Sequence, residues 1–119
     1  MAGPEPQRGD VYEVDLDPVE GREQAGRRPL LVLSIGAMNR SAARLVIGVP
    51  LTTTDWSNAM HVRIEPPHGG LARASFAMPE MIRSISTRRL RRRLGSTPND
   101  TVDAVAKRTG LLIGLGRSR

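Results

Sequence analysis

The stretch Gly21 to Ser34, GREQAGRRPLLVLS, decides the fold, because it joins a glycine-punctuated polar loop directly to the longest block of large aliphatic residues in the chain. The block from Leu30 to Leu33 has the length and character of a strand covered on both faces, although a short apolar run is also typical of a buried helical turn. Pro29 favours the strand, because proline holds the preceding residue extended and suits the first position of a strand. Arg28 is therefore predicted where a flexible loop meets buried structure.

An arginine in that position has two interpretations. Its planar guanidinium presents five donors in a fork that can grip a phosphate. Alternatively, Arg28 is an ordinary strand-end arginine that pairs with Glu23 in the adjoining loop. The residues alone leave both interpretations open.

Composition limits the class of protein and of partner. A chain of 119 residues predicts one domain, and 18 Lys and Arg against 12 Asp and Glu give a formal charge of +6. Because Lys107 is the only lysine, the cations favour bidentate contacts to an anionic partner, although arginine enrichment is also typical of a GC-rich genome. The absence of cysteine excludes disulfides, thiol nucleophiles and zinc–thiolate sites. No apolar signal core or membrane-length run occurs, which predicts a cytoplasmic protein with no membrane association.

The order of apolar patterns predicts a mainly β domain with a C-terminal helix. A disordered lead is expected over residues 1–9, one domain over 10–115 and a frayed tail over 116–119. The expected strands lie at residues 11–17, 29–33, 45–51 and 61–65, with a further pair within 74–86. Thr97 is expected to cap a helix that has Pro98 at its first position and apolar residues at helical spacing. Since most connections are too short for parallel crossovers, we expect an antiparallel sheet that curls into a small barrel.

Three further features of the sequence each have two interpretations. The hydroxyl of Thr52 can lie beside Arg28 if their strands pair, but threonine is also a common strand residue. The run RRLRRR at residues 88–93 is either a solvated turn or a patch that follows phosphates. Trp56, one of only three aromatic residues with Tyr12 and Phe76, is either a lid or a surface anchor.

The catalytic patterns that need other side chains are missing or weak. The sequence holds no Ser-His-Asp spacing, no phosphate-binding glycine loop and no HExxH helix, and its carboxylates are too scattered to predict a metal site. His61 is expected on the outward face of a strand and His68 in a loop. The remaining candidates are an arginine and a hydroxyl. This pair suits a reaction at a phosphodiester, because it can stabilise the negative charge that develops on the non-bridging oxygens. RNA supplies its own nucleophile, the 2′-OH.

The segments RGDVYEVDLDPVEGREQAGRRPLLVLS, Asn39, VIGVPLT and EMIRSI, in that order, resemble the MazF/PemK family of bacterial toxin ribonucleases over roughly residues 8–113. The resemblance implies an SH3-like barrel of the CcdB/PemK type that forms a homodimer. It also implies a toxin of a type II toxin–antitoxin system that cuts single-stranded RNA in mRNA, or in tRNA or rRNA loops, with no metal or cofactor. The products would be a 2′,3′-cyclic phosphate and a 5′-hydroxyl.

Carried over position by position, the resemblance makes Arg28 and Thr52 the catalytic pair. The RNA-binding residues that it implies are Arg22, Glu23, Gln24, Arg27, Thr53, Ser75 and Arg83. The implied protein partner is an antitoxin whose flexible acidic segment occupies the RNA groove, which agrees with the positive charge of the chain.

This chain departs from the family pattern at three places. Relatives usually carry Asp-Ser where this chain has Ala74-Ser75, and an acidic residue followed by Gln where it has Glu80-Met81. Relatives also often carry a larger or second aromatic residue at Tyr12. We therefore expect a base preference that differs from those of relatives, and the resemblance does not predict the target sequence.

Two other functions fit a related barrel. One is a non-enzymatic toxin of the CcdB type that binds DNA gyrase, but such proteins end in an apolar Trp-Gly-Ile-type tail, whereas this chain ends Arg117-Ser118-Arg119. The other is an inactive RNA-binding module, against which the presence of both Arg28 and Thr52 argues.

Overall fold

The computed structural model describes residues 5–16 and 26–116. Within these ranges the elements are β1 (Asp10–Leu16), β2 (Gly26–Val32), α1 (Gly36–Asn39), β3 (Leu45–Thr52), β4 (Val62–Ile64), β5 (Ser75–Ala77), β6 (Arg83–Ser86), β7 (Leu90–Ser96) and α2 (Asn99–Leu112). The described chain is thus mainly β with a C-terminal helix, as the sequence predicts.

The strands form one curved antiparallel sheet in the order β4-β5-β3-β2-β1-β7. A further strand, β6, pairs with the first half of β3, whereas β5 pairs with its last two residues. β3 therefore pairs with two different strands along its length, which lets the sheet bend into a half-barrel. The expected pair of strands within residues 74–86 is confirmed as β5 and β6.

The core lies on both faces of the central strands. On one face Val11, Leu31 and Val49 pack with Val102 and Val105 of α2. On the other face a second cluster is formed by Tyr12, Val14, Leu16, Leu30, Val32, Val46 and Ile85. Because alternate residues of β2 enter different clusters, Leu30, Leu31 and Val32 are all fully buried. This confirms the prediction of a strand covered on both faces.

The second strand begins earlier than the sequence suggests. It starts at Gly26, so that Arg27 and Arg28 lie within β2 rather than in the preceding loop. Its pairing with β1 extends to Gly26, whereas its pairing with β3 is recorded only from Leu30 onward. Pro29 thus lies just beyond the paired part of β2 and β3. Proline has no N–H, so it suits a position at which no hydrogen bond to the neighbouring strand is needed.

Both ends of the domain differ from expectation. The lead is held from Pro6 onward, since its carbonyl accepts a hydrogen bond from Asn39 Nδ2 (2.9 Å), while the Gly9 N–H donates to Val32 O (2.8 Å). Thr97 does not cap α2; its hydroxyl donates to Gly9 O (3.1 Å), and Pro98 occupies the N-cap. Residues 1–4 and 117–119 lie outside the described part of the chain.

The arginine run ends in a strand and not in a turn. From Leu90 onward it belongs to β7, which pairs with β1. Leu90 and Leu94 contact the two core clusters, while Arg91 pairs with Asp15 (Nε–Oδ2 2.6 Å) and Arg93 with Asp10 (Nε–Oδ1 3.2 Å). The expectation of a solvated turn is therefore wrong for residues 90–93.

Candidate active site

The β2–β3 register brings the two predicted catalytic residues to the same level of the sheet. Leu31 lies opposite Val49, and Leu30 lies opposite Pro50. The pairing of β2 with β3 ends at Leu30, and the same register extended by two residues brings Arg28 and Thr52 to one level of the sheet. Arg28 is exposed and Thr52 is half-buried. A guanidinium and a hydroxyl thus flank one point on the surface.

Gly48 fixes that register. A Cβ built at this position would lie 2.4 Å from the carbonyl oxygen of Leu31 and 2.9 Å from Leu30 Cδ2, which is closer than any side chain can approach. Only glycine allows β3 to lie this close to β2 at that point. Gly48 thus makes a close contact inside a continuous strand.

The cross-strand pairing at Thr52 extends across two more strands. Thr52 lies opposite Phe76 of β5, and Phe76 lies opposite Arg63 of β4. Because residues directly opposite each other share a face of the sheet, these side chains form one row, and the Arg63 guanidinium lies 5.5 Å from the Phe76 ring centroid. Arg63 also forms an ion pair with Glu65. We call Arg28, Thr52, Phe76 and Arg63 the polar row.

The hydroxyl of Thr52 is positioned by the loop that follows it. Its Oγ1 accepts a hydrogen bond from the Thr54 N–H (3.1 Å), which leaves its own proton available to donate. Two further turns order this loop, because the side-chain oxygens of Asp55 and Asn58 each accept a backbone N–H at 2.8 Å. Thr53 is exposed, and Trp56 is 65% exposed at the middle of the loop.

Arg27 belongs to a different group on the other face of β2. Its Nε lies 3.3 Å from Asp15 Oδ1, and Asp15 also binds Arg91. The hydrogen bond from Arg91, followed by the charges of Arg91 and Arg27, lowers the pKa of the Asp15 carboxyl below its usual value. Asp15 therefore joins an arginine of β2 to one of β7.

The remaining predicted RNA-binding residues do not all join the polar row. Ser75 is only 2% exposed, and its hydroxyl donates to the Arg73 carbonyl oxygen (3.1 Å). Arg83 lies opposite Gly48, four residues along β3 from Thr52, or about 13 Å at the usual rise of a strand. Arg22, Glu23 and Gln24 lie outside the described residues, as does any pairing of Arg28 with Glu23.

Neither histidine lies in the polar row. The His61 side chain is 4% exposed, with Nε2 2.7 Å from Glu80 Oε2, whereas the sequence predicts an outward position. His61 directly precedes β4, and its carbonyl oxygen accepts a hydrogen bond from Arg108 of α2 (2.9 Å). His68 is exposed in the turn at residues 68–70. Among residues 5–16 and 26–116, no three His, Asp or Glu side chains come together as metal ligands.

A cleft in the described part of the chain lies away from the candidate site. It has a volume of about 580 Å³ and lies beside α1 and β7. Its lining includes Arg40, Arg44, Arg91 and Arg93, and burial raises the pKa of the Tyr12 phenol at its base. The polar row, in contrast, lies on an open face, which suits a polymer better than an enclosed small molecule. None of the helices in the described ranges is sufficiently long and apolar to cross a bilayer.

The fold and the candidate site can be compared with those of known protein families. Residues 7–113 match the PemK-like, MazF-like toxin family of these systems, and the chain belongs to that family.

Individual relatives agree with this assignment. Endoribonuclease EndoA of Bacillus subtilis (strain 168) is 35% identical over 99 residues, which cover 82% of this chain and 85% of that protein. The crystal structure of MazF from Deinococcus radiodurans superposes with a TM-score of 0.82 at 30% identity, covering 94% of this chain and 99% of the other. A MazE–MazF structure from the same organism gives a TM-score of 0.79 at 30% identity, covering 96% and 100%.

Proposed function

We propose that this toxin is a metal-independent endoribonuclease that cuts single-stranded RNA through attack by the 2′-OH. The observation that carries the proposal is the register of β2 and β3, which, extended two residues past its last pair, brings exposed Arg28 and half-buried Thr52 to one level of the sheet. The endoribonuclease relative from Bacillus subtilis supports the reaction class. Family membership also favours this activity over the gyrase-binding alternative.

The reaction needs positioning and charge stabilisation rather than a protein nucleophile. The 2′-hydroxyl loses its proton to solvent as its oxygen attacks the adjacent phosphorus, the bond from phosphorus to the 5′-oxygen breaks, and the 5′-oxygen takes up a proton in return. The products are a 2′,3′-cyclic phosphate and a 5′-hydroxyl. In the five-coordinate transition state Arg28 donates hydrogen bonds to a non-bridging oxygen, and the Thr52 hydroxyl donates a further one.

An arginine is a poor general base, because it keeps its proton in proteins. We therefore assign Arg28 mainly to charge stabilisation and only secondarily to transfer of a proton to the leaving oxygen. Arg27 lies on the other face of β2 and binds Asp15, so its contact with RNA, like that of Thr53, is a proposal that rests on the family pattern. Arg22, Glu23, Gln24, Ser75 and Arg83 remain proposals that rest on the family pattern.

The proposed setting is the bacterial cytoplasm, where the toxin acts as a homodimer and is held inactive by its own antitoxin. The MazE–MazF structure supports a protein partner of this kind. A net charge of +6 suits an antitoxin segment that is acidic and flexible, since such a segment competes with RNA for the same cations. Free toxin would then stop translation and growth.

Mapping of fragment ends tests the reaction. Purified toxin, free of antitoxin, is incubated with a long single-stranded RNA in excess EDTA, and both new ends of each fragment are identified. Discrete cuts with cyclic phosphate ends are expected, and they also reveal the target sequence. Intact RNA from a correctly folded protein, or cuts that appear only when metal is added, would overturn the proposal.

A further inference from the structure

We infer that Arg63 is a second phosphate-binding residue, which holds the RNA one phosphate away from the bond that is cut. The inference rests on the proposed ribonuclease function and adds a contact at the far end of the polar row. Arg63 lies on β4, outside every segment that carries the family resemblance.

The first argument is position. Thr52, Phe76 and Arg63 follow one another across β3, β5 and β4, directly opposite at each step. Directly opposite residues have Cβ atoms about 5 Å apart, so the Cβ atoms of Thr52 and Arg63 are about 10 Å apart. The long arginine side chain reaches part of the way back along the row. A phosphate bound by Arg63 is therefore a neighbour of the one bound by Arg28 and Thr52.

The second argument is the orientation of the guanidinium. It lies over the Phe76 ring at 5.5 Å from the centroid, and Phe76 itself is only 9% exposed. The ring holds the guanidinium plane in place, and a fixed fork loses less entropy when it binds an anion. The Arg63 side chain remains 54% exposed, so an incoming phosphate can reach it.

The third argument concerns Glu65. Arg63 and Glu65 form an ion pair on the surface, and such pairs contribute little to stability. The guanidinium has five donors, so a carboxylate at one edge leaves other donors for phosphate. Glu65 thus reduces the strength of phosphate binding without blocking it, and removing its charge should strengthen RNA binding through Arg63.

Affinity for an uncleavable RNA tests the inference separately from cleavage. The probe is the mapped target sequence with a 2′-deoxy nucleotide at the cut, and its dissociation constant is measured over a range of salt concentrations. Arg63→Met removes the charge but still covers Phe76. We expect it to weaken binding about three- to tenfold at low salt and to reduce the salt slope by about 0.7, the value for one contact with single-stranded nucleic acid. The matched control is Arg8→Met, which breaks the ion pair with Asp103 beside α2 (2.9 Å) and should leave both quantities unchanged.

A scan of single phosphates locates the contact. In each RNA one phosphate is replaced by a neutral methylphosphonate. The wild-type protein should lose affinity at one phosphate next to the cut, and Arg63→Met should be insensitive at that position only. Glu65→Gln should bind more tightly, and this gain should vanish when it is combined with Arg63→Met.

The outcomes separate this inference from the proposed function. If Arg63→Met folds and keeps the wild-type affinity and slope while the wild type cuts RNA, Arg63 only covers Phe76 and the inference is wrong. If the wild type neither binds nor cuts RNA, the proposed function fails and the inference fails with it. If Arg63→Met loses thermal stability, Arg63→Lys provides the second measurement, because it keeps the charge and should retain the salt slope.

Discussion

Two arginine-bearing strands flank β1, and they differ in what their arginines contact. On β7, Arg91 and Arg93 form ion pairs with Asp15 and Asp10 of β1. On β2, Arg27 also pairs with Asp15, whereas Arg28 lies on the other face of the strand, at the level of Thr52. Arginines thus connect β1 to both of its neighbours, and one arginine of β2 is aligned with the candidate reaction site instead.

This difference shows that the face of the strand on which an arginine lies, and not the density of arginines, separates the two groups. The run at residues 88–93 is the most basic stretch of the sequence, yet two of its guanidiniums are engaged by carboxylates. The pair at residues 27–28 is less conspicuous, and its two members separate to opposite faces of β2. Arg27 joins the ion pairs around Asp15, whereas Arg28 joins the polar row.

The largest expected effect comes from removing Arg28. Arg28→Ala should reduce the rate of RNA cleavage about 10²- to 10³-fold, because one donor to the transition-state charge is lost. The matched control is Arg92→Ala, an equally exposed arginine on the other neighbour of β1, which should change the rate by no more than about threefold. Rates are measured with the same RNA after circular dichroism has shown both variants to be folded. Equal losses in the two variants would mean that general positive charge, and not the position opposite Thr52, supports cleavage.

A smaller effect, on the free energy of unfolding, tests how β7 packs against the turn at residues 68–70. A Cβ at Gly70 would lie 1.8 Å from the Leu94 carbonyl oxygen, and the residue has φ +66°. Gly114 has φ +90° but nothing within 4 Å of the added Cβ, so Gly114→Ala measures the backbone strain alone. We expect Gly70→Ala to lower the free energy of unfolding by about 1–3 kcal/mol more than Gly114→Ala. Urea denaturation curves of equal midpoint would show that β7 does not pack against this turn.

The smallest effect concerns the link between the two arginine strands. Arg91 lowers the pKa of Asp15 in the folded state, so the contribution of Asp15 to stability is fully present above the carboxyl pKa of the unfolded chain. It is lost as the pH falls through the lower, folded-state pKa. Asp15→Asn should therefore melt below the wild type at pH 7, and the difference in melting temperature should shrink as the pH falls below the carboxyl pKa of the unfolded chain, about 3.9. A difference that persists in acid would indicate that the carboxylate charge is not what joins β2 to β7.

The sequence predicts the centre of the sheet better than its edges. Leu30 to Leu33 signal a buried strand through length, aliphatic character and Pro29, and the structure bears this out. β7 escapes prediction because only Leu90 and Leu94 contact the core, and two register shifts against β1 break the alternation. A strand whose apolar residues do not recur at every second position cannot be recognised from its local sequence.

The candidate site is predictable in part for a similar reason. Placing Thr52 beside Arg28 requires only that β2 and β3 pair, which neighbouring strands usually do. The place of Arg63 depends on β5 lying between β3 and β4, although β4 directly follows β3 in the sequence. The burial of His61 depends on packing against α2. The spacing of residues in the sequence does not indicate such long-range arrangements.

The position of β1 has a consequence for synthesis. This strand is the first to leave the ribosome, yet one of its two neighbours is β7, which ends at Ser96. Until residues 90–96 have emerged, β1 exposes an unpaired edge, and Asp10 and Asp15 lack their arginine partners on β7. The sheet therefore closes only when most of the chain has been translated, and a pairing of such sequence separation is expected to form slowly. Pairing of β1 with β7 is therefore expected to be a late step of folding.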